Sequence, residues 1–299
     1  TGLCTMGCAM PLALGGAGLS PLADTHLLPM FREADLIVLA GYDPIEMRPG
    51  WRGAWDPTAQ NVLDIAHSEN LHGMHGATLE VIAPVDATLD ALRDGHAKGN
   101  VWDLSDRRAA LRDAFAVRGW GPDAVIATCR EICPPGTIGT VDSGAHRILL
   151  SQMWECDGPR QLLQSTGLCT MGCAMPLALG AKRAAPDRPV VAFMGDAGFL
   201  MVTGELASAA KLDQPVVFVV FVDRSLALIE LKQRQRQMKN AGVDFDRQDY
   251  AAVARAFGGH GVTVSDRASL QGAMEDALAA QTFTVIAAEI DRTAYDGRI

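Results

Sequence analysis

Two carboxylates, Asp196 and Asp223, lie 27 positions apart, and each directly follows a run of strand-forming residues, 190–194 before the first and 216–222 before the second. With a helix of about 14 residues over 199–212 between them, this spacing predicts one βαβ unit, whose two strands are parallel and neighbours in a sheet. Both carboxylates then open from the same sheet edge. That carboxyl edge is where open α/β sheets take ligands, and phosphates favour it because unpaired N–H groups and the helix dipole point outward there. Magnesium takes octahedral oxygen ligands from one or two carboxylates plus substrate phosphates, so two acids and a diphosphate would satisfy it. Gly195 and Gly198 let the backbone come close to such a ligand. Asp after a strand is also a common helix cap, and the pair taken alone leaves both readings open.

Alternation of strand and helix runs through the rest of the chain. Residues 36–40, 62–65 and 79–82 read as strands, followed by a helix over 86–94. Further on, helices are expected at 122–132, 145–155, 248–257 and 267–280, with strands at 137–141, 260–264 and 283–290. Such alternation predicts an α/β fold with a parallel sheet and helices on both faces.

Three motifs carry a resemblance. Gly195-Asp196-Ala197-Gly198-Phe199, followed by Gly204-Glu205-Leu206 and closed by Asp223-Arg224-Ser225, resembles the diphosphate-binding motif of thiamine-diphosphate enzymes of the acetolactate synthase and 2-oxoacid decarboxylase superfamily. Asp142-Ser143-Gly144-Ala145-His146 resembles the Asp-x-Gly-x-His turn of that family. Residues 165–172, Ser-Thr-Gly-Leu-Cys-Thr-Met-Gly, resemble its Ser-Gly-Gly-Leu-Gly-Thr-Met-Gly turn. The likeness is close over about 119–299 and looser over about 12–95.

The resemblance implies thiamine diphosphate and Mg2+ as cofactors, with Asp196, Asp223 and the Ser225 carbonyl as metal ligands; the family more often has Asn at position 223. It implies that Gly144, Ala145, His146, Gly195, Ala197 and Gly198 contact the cofactor. Met171 matches the apolar wedge that keeps the cofactor bent, and the Cys169 carbonyl matches the acceptor of its 4′-amino group, so these two are the catalytic candidates. Ala197 and Cys169 stand where the family has Gly. A carbonyl contact from Cys169 survives that change unless the position needs a positive φ.

By the same resemblance, 1–95 reads as a partial Rossmann-like central domain, 96–118 as a linker, and 119–299 as the diphosphate-side binding domain. The implied activity is that of an acetolactate synthase-like carboligase or decarboxylase acting on a 2-oxoacid. In the family a Glu on a separate pyrimidine-binding domain promotes ylid formation; this chain offers no match for it, and Glu205 and Glu230 fit no such role. The expectation is a chain that is catalytically incomplete by itself, working as a homo-oligomer or with a partner chain that carries the pyrimidine-binding domain. A non-catalytic cofactor-binding fragment is the alternative, and an NAD(P)-dependent oxidoreductase rests on the α/β pattern alone. The segment 226–232, Leu-Ala-Leu-Ile-Glu-Leu-Lys, departs from the family's Gly-Met-Val-x-Gln-Trp pattern and leaves the substrate open, and FAD binding is likewise open.

Residues 1–15 recur without change at 166–180, an identity too long and too widely spaced for a diverged structural repeat. The expectation is a joining error or recent recombination, with residues 1 to about 10 binding nothing. A net charge of −9 points away from nucleic acid and toward a cytoplasmic enzyme, and residues 1–23, uncharged, rich in Gly, without a basic region and in part repeating 166–180, are expected to be neither a signal peptide nor a membrane span. The pairs Cys4/Cys8, Cys129/Cys133 and Cys169/Cys173 lack the spacing of common zinc sites and read as structural thiols. His67, His72 and His75 read as a loop, and 232–239 as an exposed helix face. Gly16-x-Gly18 lacks the third glycine and the preceding strand of a dinucleotide fingerprint.

Overall fold

A computed structural model describes residues 12–44, 49–71, 73–93, 102–165 and 167–299. Most of the N-terminal duplicate, with Cys4 and Cys8, and also His72 and Thr166, lie outside the described residues. The chain divides into two compact units, one over 17–114 and one over 115–299, the latter joined by residues 12–16.

The smaller unit begins with α1 (Pro21–Glu33), which Ser20 caps by accepting from the Ala23 N–H at 3.2 Å and which Pro21 opens with its fixed φ. Its strands β1 (Leu36–Ala40), β2 (Asn61–Ala66) and β3 (Leu79–Ile82) pair in parallel in the order β1-β2-β3. β1 alternates between exposed and buried, as period-two patterning on a one-sided sheet requires. Ile37 and Leu39 pack with Val62, Trp51 and Trp55, while Leu36 and Val38 on the other face stay exposed. Two helices follow, α2 (Val85–Arg93) and α3 (Ser105–Ala114), the second lying inside the 96–118 segment.

The larger unit runs α4 (Pro122–Ile132), β4 (Ile138–Val141), α5 (Ala145–Met153), β5 (Leu162–Gln164), α6 (Ala174–Ala184), β6 (Val190–Gly195), α7 (Asp196–Met201), α8 (Leu206–Leu212), β7 (Val217–Val222), α9 (Ala227–Gln235), α10 (Tyr250–Ala256), β8 (His260–Val264), α11 (Arg267–Ala279) and β9 (Thr284–Glu289). Its six strands are all parallel, in the order β5-β4-β6-β7-β9-β8. Every residue of β7 is buried, which is why Val-Phe-Val-Val-Phe-Val is continuously apolar: a parallel strand covered on both faces has no solvent side. Ala192, Met194, Phe218 and Val220 pack against α6, α8 and α10. From the other face Phe193 meets Trp154, just beyond α5, at 5.0 Å between ring centroids. Removing a side chain such as that of Phe218, wholly buried, would cost about 3–5 kcal/mol.

The expected single helix over 199–212 is corrected to three pieces: the end of α7, a 3-10 turn Thr203–Glu205, and α8. The Thr203 hydroxyl donates to the Phe199 carbonyl at 2.9 Å, competing with the helix ladder, and Gly204 beside it weakens helix propensity. Four elements have no counterpart in the sequence reading, α1, α3, β5 and α6, and α9 begins five residues before the helix face read at 232–239. The basic segment 232–239 is helical only as far as Gln235.

Candidate functional site

The geometry starts from three strand ends. α5, α7 and α9 each begin within a few residues of the carboxyl ends of β4, β6 and β7, and none of the three has a side-chain hydrogen bond capping its N-terminus. Their first turns, Ser143–His146, Gly195–Gly198 and Leu226–Ile229, wall a cavity of about 140 Å³. The positive ends of three helix dipoles therefore converge on one space, which favours an anion.

Asp142 holds the walls together. It is 1% exposed; its Oδ1 accepts from His146 Nε2 at 2.9 Å and its Oδ2 from the Gly172 N–H at 2.6 Å. The His146 ring lies stacked on Phe221 of β7, 5.1 Å between centroids. A Cβ on Gly198 would collide with Asp142 Oδ2, so glycine here is a consequence of that carboxylate's position. The turn before α6, the start of α5 and the start of α7 are thus locked to one buried acceptor.

β6 and β7 are neighbours in the register Gly195↔Phe221, which brings Asp196 and Asp223 to adjacent tips. Asp196 Oδ1 accepts from the Ala197 N–H at 2.8 Å and Oδ2 from the Arg224 N–H at 2.7 Å, so the first motif loop grips the second directly. Asp223 Oδ1 accepts from the Ser225 N–H at 3.0 Å. Burial pushes both carboxyls above the ordinary carboxylate range, and Asp223 is raised further by the like charge of Asp196. Two such acids held together bind protons more tightly than ordinary carboxylates, and a cation beside them would offset their mutual repulsion. Arg224 takes a left-handed conformation, φ 59°, turning the chain between Asp223 and Ser225. Ser225 is braced by Asp244, whose carboxylate accepts from Ser225 Oγ at 3.2 Å, Asn240 Nδ2 at 2.8 Å and Arg292 Nη1. The bridge to that segment uses the Leu226 N–H, to Val243, and the Arg224 carbonyl, from Phe245, so the Ser225 carbonyl stays outside the pairing.

Of the expected site residues, Gly144, Ala145, His146, Met171, Gly195, Asp196, Ala197, Gly198, Asp223 and Ser225 all line this cavity. Cys169 does not. Its φ is 49°, the left-handed region that favours glycine, and its sulfur accepts from Arg147 Nη1 at 2.9 Å. Ala197 lies inside α7 with helical backbone, where a methyl group costs nothing. Tyr295, on the 3-10 turn Arg292–Tyr295, and Leu226 to Ile229 complete the wall; the motif reading did not include them. Nothing local marks Tyr295, which arrives from the far end of the chain. Asp142, by contrast, was quoted within its turn, and its role follows only from what that turn meets.

Among the described residues no three His, Cys, Asp or Glu side chains come together as a metal cluster. The donor set here is two carboxylates and one main-chain carbonyl, the hard oxygen type that magnesium takes together with phosphate oxygens. The residues present fit a diphosphate and its cation.

Residues 142–288 match the family model described as thiamine pyrophosphate enzyme, C-terminal TPP binding domain. The chain is 29% identical over 278 residues to the catabolic acetolactate synthase of Raoultella terrigena, covering 88% of this chain and 49% of that protein. It is 27% identical over 278 residues to the acetolactate synthase of Bacillus subtilis (strain 168), with 88% and 48% covered. Against the acetolactate synthase large subunit of Parasynechococcus marenigrum it is 33% identical over 174 residues, 57% of this chain and 28% of the relative. The larger unit carries the C-terminal thiamine-pyrophosphate-binding domain of this enzyme family, and over most of its length the chain is similar to acetolactate synthases. It spans about half the length of the first two of these relatives. The nicotinamide reading is set aside on this domain match. No helix among the described residues is long and apolar enough to cross a membrane.

Proposed function

We propose that this chain binds thiamine diphosphate through Mg2+ and serves an acetolactate synthase-like carboligation or decarboxylation of a 2-oxoacid. The observation that carries the reading is the pair Asp196, buried, and Asp223, half-buried, held at neighbouring strand tips in a cavity onto which three helix starts open. The pair and the Ser225 carbonyl hold the cation, and the N–H groups at the starts of α5, α7 and α9 hold the diphosphate. When bound, the cofactor supplies an electron sink for the bond broken at the 2-oxo carbon.

The chain's own contribution is positioning. Asp142 fixes the His146 ring and the Gly172 N–H, and so sets the turn that carries Met171 into the cavity as the apolar wedge. The Cys169 carbonyl takes the 4′-amino group. The positive φ of Cys169, 49°, is the condition under which the sequence reading put this contact in question, and a non-glycine residue bears the strain of it. We read residues 119–299 as the cofactor domain, 1–95 as part of a central domain and 96–118 as the linker. Activity requires a pyrimidine-binding domain, on a longer form of this polypeptide or on a partner chain, and the functional unit is an oligomer in the cytoplasm.

Isothermal titration of the chain with thiamine diphosphate, with and without Mg2+, tests the reading. Binding that needs the metal is expected; binding of equal strength in a chelator, or none with Mg2+ present, would overturn it.

A further inference from the structure

Glu230 is a buried acid that the scheme above does not use. It lies on α9 directly after the residues that wall the cavity and one turn beyond Ala227, sharing an inward face with Ala227 and Leu231, and is 6% exposed. Its Oε1 accepts from Arg234 Nε at 2.7 Å, and Arg234 is held in turn by both oxygens of Asp296 at 2.8 and 2.7 Å. Its Oε2 is buried and has no hydrogen-bond partner among the described residues. A buried acceptor left without a donor costs about 1–3 kcal/mol, and more when charged. The negative charge of Glu230 also reaches Asp223 and raises it, while Arg292 opposes that effect. The orphan oxygen therefore belongs to a group within electrostatic reach of the acidic pair.

Two carboxylates and one carbonyl fill half of an octahedral shell, and magnesium keeps water in part of the remainder. Water held by a cation is a strong donor, and the acceptors that orient such outer contacts tune metal affinity about 10–100-fold. Resting on the cation reading above, we propose that Glu230 is a positioning residue whose Oε2 takes a hydrogen bond from the cation's hydration shell. A third carboxylate then strengthens the grip on the cation without entering its inner sphere. Arg234, held by Asp296, occupies the other oxygen, which leaves Oε2 as the acceptor still open.

The test uses the whole chain with saturating thiamine diphosphate and Mn2+ as the probe, free Mn2+ being read from its electron paramagnetic resonance signal. Glu230→Leu should bind Mn2+ about 10–100-fold more weakly than wild type, and Glu230→Gln, which keeps an acceptor but not the charge, about threefold to tenfold more weakly. In the metal-free protein neither variant should melt below wild type, because the orphaned charge is gone. Wild-type affinity in Glu230→Leu overturns the inference and leaves the cofactor reading standing. If Glu230→Leu melts early, Glu230→Gln decides: unchanged Mn2+ affinity there overturns the inference, and weaker binding at an unchanged melting temperature supports it. Failure of the wild-type chain to bind Mn2+ overturns the cofactor reading and this inference together.

Discussion

The two parallel sheets of this chain end differently. In the large sheet, the crossovers leaving β4, β6 and β7 enter helices within a few residues of the strand end, and main-chain N–H groups face the carboxyl edge. In the small sheet the crossover from β1 to β2 contains a short 3-10 turn, Pro49–Gly53, and an aromatic cluster instead. Tyr42 meets Trp55 at 5.8 Å, Phe31 meets Trp51 at 5.4 Å, and the Tyr42 hydroxyl pairs with His75 Nδ1 at 3.0 Å. Of its two buried acids, Asp24 is satisfied from both sides, by the Gly18 N–H and Trp51 Nε1, each at 2.9 Å, and Asp64 on β2 accepts from Asn70 Nδ2 at 2.6 Å through one oxygen while the other has no hydrogen-bond partner among the described residues. A parallel sheet is not by itself an anion site. The site needs helices that start at the strand tips and acids whose charge is left for a ligand to offset.

The sharpest way to break this contrast is Asp196→Ala, which removes the carboxylate that takes both the Ala197 and the Arg224 N–H. Mg2+-dependent binding of thiamine diphosphate should fall by at least about 100-fold in calorimetry, the cost of losing a charge-assisted contact and the loop it holds. Retention of wild-type affinity would remove Asp196 from the site. Gly198→Ala comes next. Its methyl meets Asp142, and the forced shift should destabilise the protein by about 1–3 kcal/mol and weaken cofactor binding with it, measured by denaturant unfolding and titration.

Proton linkage gives a third, intermediate effect. Because burial raises Asp196 and Asp223 in the metal-free protein, the native chain keeps protons that the unfolded chain releases at lower pH. The stability this adds is complete below the unfolded carboxylate range and is lost as pH rises through the raised values. Binding of Mg2+ should release protons, and apparent affinity should climb with pH over that same window. Calorimetry in two buffers of different ionisation enthalpy reads the proton count, and a count of zero would contradict the raised carboxyls. Asp223→Asn should keep cofactor binding within about tenfold while flattening the pH dependence, since the repulsion of Asp223 by Asp196 disappears. The smallest effect on binding belongs to the other sheet. Asp24→Ala should cost about 1–3 kcal/mol of stability, through the two donors it strands, and leave cofactor affinity unchanged.

Much of the larger unit was legible from patterning. Continuous apolar runs such as 190–194 and 217–222 are unlike any exposed segment, and a residue type that follows a buried strand and opens a helix is restricted by main-chain geometry. The short β5 was not legible, because three residues carry too little pattern. The break after α7 was missed because helix propensity in 199–212 is high on average, and the competing bond from Thr203 is a matter of one rotamer. Cys169 read as a tolerated replacement, and its positive φ appears only once the turn is built.

Local order along the chain determined the α/β alternation, the adjacency of β6 and β7 and the placing of Asp196 and Asp223 at one edge, because those follow from strand length, crossover handedness and the residues next to each strand end. Tertiary structure alone decided that Asp142 would tie three turns together, that Tyr295 would close the cavity wall, and that Glu230 would be buried with one oxygen unpaired. Those outcomes depend on which side chains meet across long stretches of chain, and on how much water their meeting excludes, quantities that no short window of sequence contains.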